Sequence, residues 1–198
     1  MSNDMTNPVG KVISIHSGSS GTLSKEVRPS IEVELDGVVG DRHRNISRRC
    51  WSGDKQDEGS ARRNERQWSA VSREELKFIE QEMNLAEPLQ ASSLGANICL
   101  EGIPELSRLT RGTVLKFSSG VVLMVEEYNP PCSDMSKKIA QIYTSKSGEP
   151  IANSAFSKAA KFSRGLVGVV EVAGVIRAGD EVVVKPEVLP KWLRGTNK

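Results

Sequence analysis

The sequence contains few of the residues that build metal centres and disulfide frameworks. Its 198 residues include two histidines and three cysteines, and the cysteines (Cys50, Cys99 and Cys132) are far apart in the chain. No HExxH, paired CxxC, EF-hand or GxSxG pattern is present, and no GxGxxG fingerprint follows a predicted strand. These absences argue against a structural zinc site, a serine hydrolase and a Rossmann nucleotide site.

Aromatic content and net charge are also low. Aromatic residues make up 5% of the chain, and the formal net charge at pH 7 is +2, whereas proteins that coat nucleic acids carry a large basic excess. No stretch reaches the roughly 18 apolar residues that span a bilayer. The N-terminal segment MSNDMTNPVGKVISI lacks the basic and apolar regions of a signal peptide. We therefore predict a cytoplasmic protein with free thiols, with neither nucleic acid nor a membrane as partner.

Short β-branched runs bounded by turn residues are the main pattern that is present. The chain length fits one domain, which we place at residues 9–186 between a flexible N-terminus (1–8) and a C-terminal tail (187–198). Ser118, Ser119 and Gly120 separate two of the runs and predict a hairpin. The predicted strands are 9–15, 31–35, 113–117, 121–126, 166–172 and 181–185.

Three segments have helical spacing. Ser72 and Glu75 form a capping-box pattern before a helix that should end near Asn84, a second helix should begin at Ser133, and a third should cover 151–162. Strands interrupted by helices, without strict alternation of the two, predict a mostly β fold with helical insertions (α+β). We expect a closed or nearly closed, mostly antiparallel β-barrel.

Two stretches of the chain are locally basic. Residues 41–73 contain nine basic and five acidic residues, and residues 136–164 contain six basic residues and one acidic residue. The stretches are either a solvated surface or the two walls of an anion-binding cleft. Within the first stretch, the loop of residues 46–64 contains a polar run, 53–60, with no apolar anchor. We expect this loop to be mobile and to close over an anionic ligand as a lid.

Cys132 has the most informative setting of the three cysteines. Pro130 and Pro131 fix the backbone before it, and the predicted second helix starts immediately after it. The thiol should therefore lie at the positive end of a helix dipole, which favours the thiolate. A functional thiol and a packed one are both compatible with this setting. Cys99 lies in the apolar run NICL and is predicted to be core, and Cys50 is predicted to be incidental.

The segment DGVVGDRHRN brings several polar groups together. Asp41, Arg42 and His43 follow a predicted strand, and a carboxylate, a guanidinium and an imidazole in one turn can orient an anionic ligand. Alternatively, Asp41 caps the turn and His43 is a surface residue.

Five segments, in order along the chain, resemble the landmarks of MOSC domains, which occur at the C-terminus of molybdenum cofactor sulfurases and as stand-alone proteins. They are GVVGDRH at 37–43, ERQWSAVSREEL at 65–76, LGANICLEGI at 94–103, NPPC at 129–132 and RGLVGVVEVAGVIRAGDEV at 164–182. The resemblance implies a β-rich barrel and a cysteine beside a pterin-phosphate site. In that family the cysteine is thought to carry sulfur as a persulfide or to contact molybdenum.

The resemblance also assigns roles to particular residues. The family's cysteine corresponds to Cys132, as sulfur carrier or molybdenum ligand. The cofactor-binding positions correspond to Asp41, Arg42, His43, Asn97, Arg164 and Gly165. The implied cofactor is the molybdenum cofactor (molybdopterin), and the implied partners are a separate cysteine desulfurase, a molybdoenzyme or both. No pyridoxal-phosphate site is expected, because no desulfurase domain is fused to this chain.

Three functions follow as hypotheses. The first is binding of molybdopterin or a related anionic ligand, with Cys132 in sulfur transfer or metal ligation. The second is a non-catalytic module that holds and delivers the cofactor from the same cleft. The third, weaker hypothesis is binding of single-stranded nucleic acid by the Arg-rich loop, with Trp51 and Trp68 stacking on bases. We also expect Arg42, His43 and Arg164 to converge on one anionic group.

Overall fold

The computed structural model describes residues 7–19 and 21–187, so the predicted terminal segments 1–8 and 187–198 fall largely outside the described residues. The helices within these ranges are α1 (Arg73–Glu82), α2 (Ser133–Ile142) and α3 (Ala155–Ala159). The strands are β1 (Val9–Ser17), β2 (Glu26–Arg28), β3 (Ser30–Glu34), β4 (Gly37–Val38), β5 (Ser47–Arg49), β6 (Ala61–Arg63), β7 (Trp68–Ser72), β8 (Ile98–Glu101), β9 (Val114–Phe117), β10 (Val122–Tyr128), β11 (Leu166–Val172), β12 (Gly174–Arg177) and β13 (Glu181–Lys185).

Seven strands form a closed barrel. Their order is β1, β8, β7, β11, β10, β9 and β13, and β13 pairs with β1 to close the ring, with Val9 opposite Val183. Neighbouring strands are antiparallel except β7 and β8, which are parallel. The predicted mostly β fold with helical insertions and a closed barrel is confirmed.

Alternating apolar side chains fill the barrel. Val12 and Ile15 of β1 are buried inside it, as are Leu115 and Leu123 of the β9–β10 hairpin. Trp68 is fully buried and donates from its indole Nε1 to the carbonyl of Val169 at 2.9 Å. It cannot stack on a nucleic-acid base, so that part of the third hypothesis is wrong.

A second apolar cluster lies between the barrel wall and the helices. Leu76 and Ile79 of α1 pack there with Met135 and Ile139 of α2. These residues recur at helical spacing, so each helix buries one face against the barrel. The helices therefore cover part of the outer barrel wall.

Two predicted helical features are wrong. The third helix is much shorter than predicted, because the chain turns after Ala159 and Phe162 adopts a left-handed conformation with φ of 66°. The capping box of α1 is only half formed. The hydroxyl of Ser72 accepts the amide of Glu75, but the Glu75 carboxylate bonds to Ser107 instead of reaching back.

The segment predicted to be an unanchored loop, residues 46–64, is a two-stranded ribbon. Strands β5 and β6 pair in it, and Asp54 joins them by accepting hydrogen bonds from Arg48 and Arg62, each at 2.6 Å. Glu65 binds Arg48 from the other side at 2.6 Å. The segment therefore has internal ion pairs that its polar composition did not predict, because Asp54 and the adjacent Glu65 pair with its arginines.

Candidate functional site

A cavity of about 510 Å³ lies against the outer face of the barrel wall. Ser69 of β7 and Val167 of β11 form its floor, since their neighbours along each strand point into the barrel core. Gly18 and residues 22–25, the turn before β8 and the segment leading into α2 form its sides. The cavity is therefore built from segments that are distant in sequence.

Five of the seven predicted site residues line this cavity. They are Arg42, His43, Asn97, Cys132 and Arg164. The other two predicted residues, Asp41 and Gly165, lie behind the cavity wall. Arg42, His43 and Arg164 all line this cavity, and their convergence on one anionic group stays a prediction.

Asp41 organises the wall beneath the cavity. Its buried carboxylate lies 2.8 Å from the ammonium of Lys25 and accepts the Asn97 amide at 2.9 Å and the His43 backbone amide at 3.1 Å. Burial alone would raise the pKa of Asp41, but the bond with His43 and the charge of Lys25 outweigh burial and hold that pKa well below its usual range. Asp41 is therefore a fixed anion.

His43 lies at the edge of this network. Its ring Nδ1 is 3.3 Å from an Asp41 oxygen. This contact favours the charged imidazole, but burial and the positive charges of Lys25 and Arg42 outweigh it and lower the pKa of His43 below 6.5. These surroundings therefore favour the neutral imidazole.

Arg164 is a buried cation with few partners. Its Nη2 donates to the carbonyl of Leu94 at 2.9 Å, whereas Nε and Nη1 have no hydrogen-bond partner among the described residues. Burial, reinforced by the charge of Arg66, lowers the pKa of Arg164 to about 10. Because buried charges are normally paired, an unpaired guanidinium in a cavity wall indicates an anionic ligand.

Gly165 allows the chain that follows Arg164 to pack closely against β7. It has a φ of +98°, and a Cβ at this position would lie 2.1 Å from the carbonyl oxygen of Ala70. Its amide donates to the Ser107 hydroxyl at 2.7 Å. The glycine is needed for close packing of the chain on β7 immediately after Arg164.

Further cations surround Arg164. Arg42 donates to the carbonyl of Thr22 at 3.2 Å, and the Lys138 ammonium contacts the Ser24 hydroxyl at 2.5 Å and the Ser93 carbonyl at 2.8 Å. Burial and the nearby arginines lower the pKa of Lys138 to about 8. Among the described residues that line the cavity, four are cationic (Lys25, Arg42, Arg66 and Arg164) and Asp134 is acidic.

Cys132 lies in the cavity at the beginning of α2. The thiol is exposed, and its Sγ accepts the backbone amide of Met135 at 3.4 Å, which makes it the N-cap of the helix. Cys50 and Cys99 are buried, and burial raises the pKa of Cys99 to about 12. Cys132 is the accessible thiol among the three, as its sequence setting predicts.

Sequence reasoning missed two residues of the site. Lys25 has no motif around it, and its role depends on an ion pair with a distant turn. Arg66 was one of many arginines in a basic stretch, yet it is the one that donates to Asn129 of the NPPC segment, at 2.8 Å. Most other arginines of that stretch point elsewhere and pair with carboxylates, for example Arg44 with Asp36 and Arg63 with Glu126.

The donor set excludes a multidentate metal site of common type. No three His, Cys, Asp or Glu side chains converge anywhere in residues 7–19 and 21–187. Within the same residues, no helix is long and apolar enough to cross a membrane. A metal in this cavity would find Cys132 as its single thiolate ligand from the protein.

Comparison with known proteins identifies the family. Residues 53–183 match the family model of the MOSC domain. This chain belongs to the MOSC family. The match covers the second strand of the ribbon, most of the barrel, and both Cys132 and Arg164.

Individual relatives agree with this assignment. YuaD of Bacillus subtilis strain 168, whose name refers to metal-sulfur cluster biosynthesis, is 32% identical over 155 residues, which are 78% of this MOSC protein and 79% of YuaD. The crystal structure of YuaD superposes with a TM-score of 0.84 at 27% identity, covering 91% of this chain and 97% of that one. YiiM from Geobacillus stearothermophilus shares the fold, with a TM-score of 0.57 at 18% identity over 88% of this chain and 74% of its own.

Proposed function

We propose that this MOSC protein binds the molybdenum cofactor, or a related phosphate-bearing ligand, in the cavity, and that Cys132 serves there as sulfur carrier or metal ligand. The observation that carries the proposal is the buried guanidinium of Arg164, two nitrogens of which lack partners among the described residues. Membership in a family associated with molybdenum cofactor pathways, and the similarity to YuaD, fit a sulfur function of this general kind.

The residues present fit a molybdopterin. Its phosphate needs charge-assisted donors, which Arg164 and Arg42 offer from the cavity wall, and the ammonium of Lys138 lies beside that wall at Ser24. The amide of Asn97 is engaged with Asp41, so it supports the wall. When bound, the cofactor would supply a metal centre as the acceptor of sulfur.

The sulfur step assigned to Cys132 needs no further oxidant. Its thiolate attacks the terminal sulfur of a persulfide on a separate cysteine desulfurase. One S–S bond breaks and one forms, so the donor leaves as a thiolate and Cys132 becomes a persulfide. The exposed position of Cys132 gives such a donor access to the thiol.

A second candidate function is delivery of the cofactor without chemistry at Cys132. The hydrogen bond that Cys132 Sγ accepts from the Met135 amide favours it, because this contact gives the thiol a structural role as a helix cap. Both candidates use the same cavity, and they differ in whether the sulfur atom of Cys132 is required.

The deciding experiment is intact-mass spectrometry after incubation with a cysteine desulfurase and free cysteine. We expect the wild-type protein and the variants Cys50→Ser and Cys99→Ser to gain the mass of one sulfur atom, and Cys132→Ser to gain none. Sulfur acceptance that persists in Cys132→Ser would contradict the assigned role. A wild-type protein that binds a phosphate-bearing pterin but accepts no sulfur would support delivery.

A further inference from the structure

Trp51 is an exposed aromatic residue at the edge of the cavity. It follows β5 in the ribbon, its side chain is 50% exposed, and it lines the same space as Cys132 and Arg164. A large exposed aromatic side chain beside a cavity is typical of a ligand-binding surface. We propose that Trp51 stacks on a planar ring of the ligand whose phosphate is held by Arg164 and Arg42. This inference rests on the proposed function and adds the position and shape of the ligand.

The ribbon fixes Trp51 before any ligand arrives. Its backbone amide donates to Asp54 at 3.0 Å, and the guanidinium carbon of Arg48 lies 4.3 Å from the ring centroid. Arg48 is itself held by Asp54 and Glu65. An aromatic surface that is already ordered loses little conformational entropy on binding, so a stacking contact there adds fully to affinity.

The cationic groups are bonded to segments of the chain other than the one that carries Trp51. Arg42 is bonded to the carbonyl of Thr22, Lys138 to Ser24 and Ser93, and Arg164 to the carbonyl of Leu94. These three cations therefore meet at two short segments, 22–24 and 93–94. None of these hydrogen bonds involves Trp51, so the aromatic ring and the cations belong to different parts of the cavity wall.

Arg66 links Trp51 to the segment that carries Cys132. The Arg66 guanidinium carbon lies 5.6 Å from the Trp51 ring centroid, and its Nη2 donates to Asn129, three residues before Cys132. The charge of Arg66 also acts on Arg164. Trp51, Cys132 and Arg164 line one cavity, so a ligand with its ring on Trp51 and its phosphate on Arg164 shares that space with Cys132. The ligand class is a planar heteroaromatic ring joined to a phosphate by a short linker.

The test compares two phosphates that differ in the ring. Binding of neopterin monophosphate and of ribose phosphate is measured by calorimetry for the wild type and for Trp51→Ala, Trp51→Phe and Arg164→Met. Because base–aromatic stacking is worth about 1–3 kcal/mol, Trp51→Ala should weaken the pterin probe by roughly 5- to 150-fold and leave ribose phosphate within about twofold. Trp51→Phe should recover most of the loss. Arg164→Met should weaken both probes.

A matched control and the contrary outcomes complete the design. Phe78→Ala removes an aromatic side chain of similar exposure, 47%, that does not line the cavity, and it should change neither affinity. Equal weakening of both probes by Trp51→Ala, or no change in either, would overturn the inference while leaving the phosphate site in place. Failure of the wild type to bind either probe would overturn the proposed function together with the inference.

Discussion

Lys25 and Asp41 form a buried ion pair beneath the cavity, with the ammonium 2.8 Å from the carboxylate. Lys25 directly precedes β2, and Asp41 lies in the Gly-Asp-Arg-His turn. Asp41 also binds Asn97, which precedes β8. One carboxylate thus joins three segments of the cavity wall, and the shape of the site depends on it.

Removing Lys25 should therefore be costly. Lys25→Met leaves the charge of Asp41 buried without its cation, and we expect the free energy of unfolding to fall by about 3 kcal/mol. Arg28→Met is the matched control, because Arg28 pairs with Glu26 at 2.7 Å on the exposed surface and should cost less than about 1 kcal/mol. Urea denaturation measures both. Equal losses would contradict a special role for the buried pair.

Much of the barrel could be predicted from local sequence. Strands β11 and β13 have the predicted bounds, because β-branched runs between glycine turns specify extended chain. Strands β7 and β8 were missed. The WSAVS segment of β7 is rich in small residues, and its place in the sheet is set by pairing with β8 and β11. Such pairing is not visible in a short window of sequence.

Site residues that lie in a local sequence motif could be predicted. Site residues whose role depends on contacts with distant parts of the chain could not. Cys132 stood out because its prolines and helix start are adjacent in sequence. Lys25 did not, since its partner is distant. The ribbon was misread because a count of polar residues does not show that Asp54 bridges Arg48 and Arg62.

Cys132 should be the first thiol to react with an alkylating reagent. It is exposed, whereas Cys50 and Cys99 are buried and burial raises the pKa of Cys99 to about 12. Timed labelling at neutral pH should give one modified site per chain at early times. Cys132→Ser should remove this label and keep α2 intact, because serine is a good N-cap. Earlier labelling of Cys50 or Cys99 would contradict the site assignment.

Arg164 should contribute to binding without contributing to stability. Arg164→Met removes a buried charge that has one hydrogen bond, so we expect the free energy of unfolding to stay within about 1 kcal/mol of the wild-type value or to rise. Affinity for inorganic phosphate should fall by about 1.5–3 kcal/mol, roughly 10- to 150-fold. The exposed Arg108 supplies the control, Arg108→Met, for which no change in affinity is expected. Unchanged phosphate affinity in Arg164→Met would remove the basis of the proposed site.

Glu75 should make stability fall as pH rises. Burial, only partly offset by hydrogen bonds from Ser107, raises the pKa of Glu75 from 4.5 to about 7. A carboxyl that binds its proton more tightly in the folded chain stabilises the fold fully below pH 4.5, and this contribution is lost as pH rises through about 7. Glu75→Gln should therefore gain stability relative to wild type by roughly 2–3 kcal/mol between pH 5 and pH 8.

The neighbouring glutamate provides the control for this pH dependence. A hydrogen bond from the Gly102 amide helps to lower the pKa of Glu74 despite partial burial, which by itself would raise it. Its contribution to stability is therefore constant above its unfolded pKa. Urea midpoints of Glu74→Gln should run parallel to wild type from pH 5 to pH 8. A parallel curve for Glu75→Gln would show that Glu75 is ionised in the folded protein.

The ribbon of residues 46–64 should be ordered in the free protein, with Asp54 as the residue that holds it. Asp54 accepts hydrogen bonds from Arg48, Arg62 and the Trp51 amide. The Cys50 amide donates to the Ser60 carbonyl at 2.9 Å, and the Gly59 amide donates to the Cys50 carbonyl at 2.8 Å, which links the two sides of the ribbon. We therefore expect these two amides to be protected from hydrogen exchange without ligand. If the segment is instead the mobile lid that the sequence predicts, the Cys50 and Gly59 amides should exchange freely until a ligand binds.

Asp54→Ala should open the ribbon without unfolding the barrel. Losing the bridge leaves Arg48 and Arg62 to share the one carboxylate of Glu65, so exchange at the Cys50 and Gly59 amides should accelerate about tenfold or more. Exchange in the paired strands β10 and β11 should stay unchanged, because their hydrogen bonds do not involve the ribbon. Asp57→Ala removes an exposed carboxylate from the same ribbon and should leave the exchange rates as in wild type. If both variants behave alike, the ribbon is held by its backbone pairing and Asp54 is not its anchor.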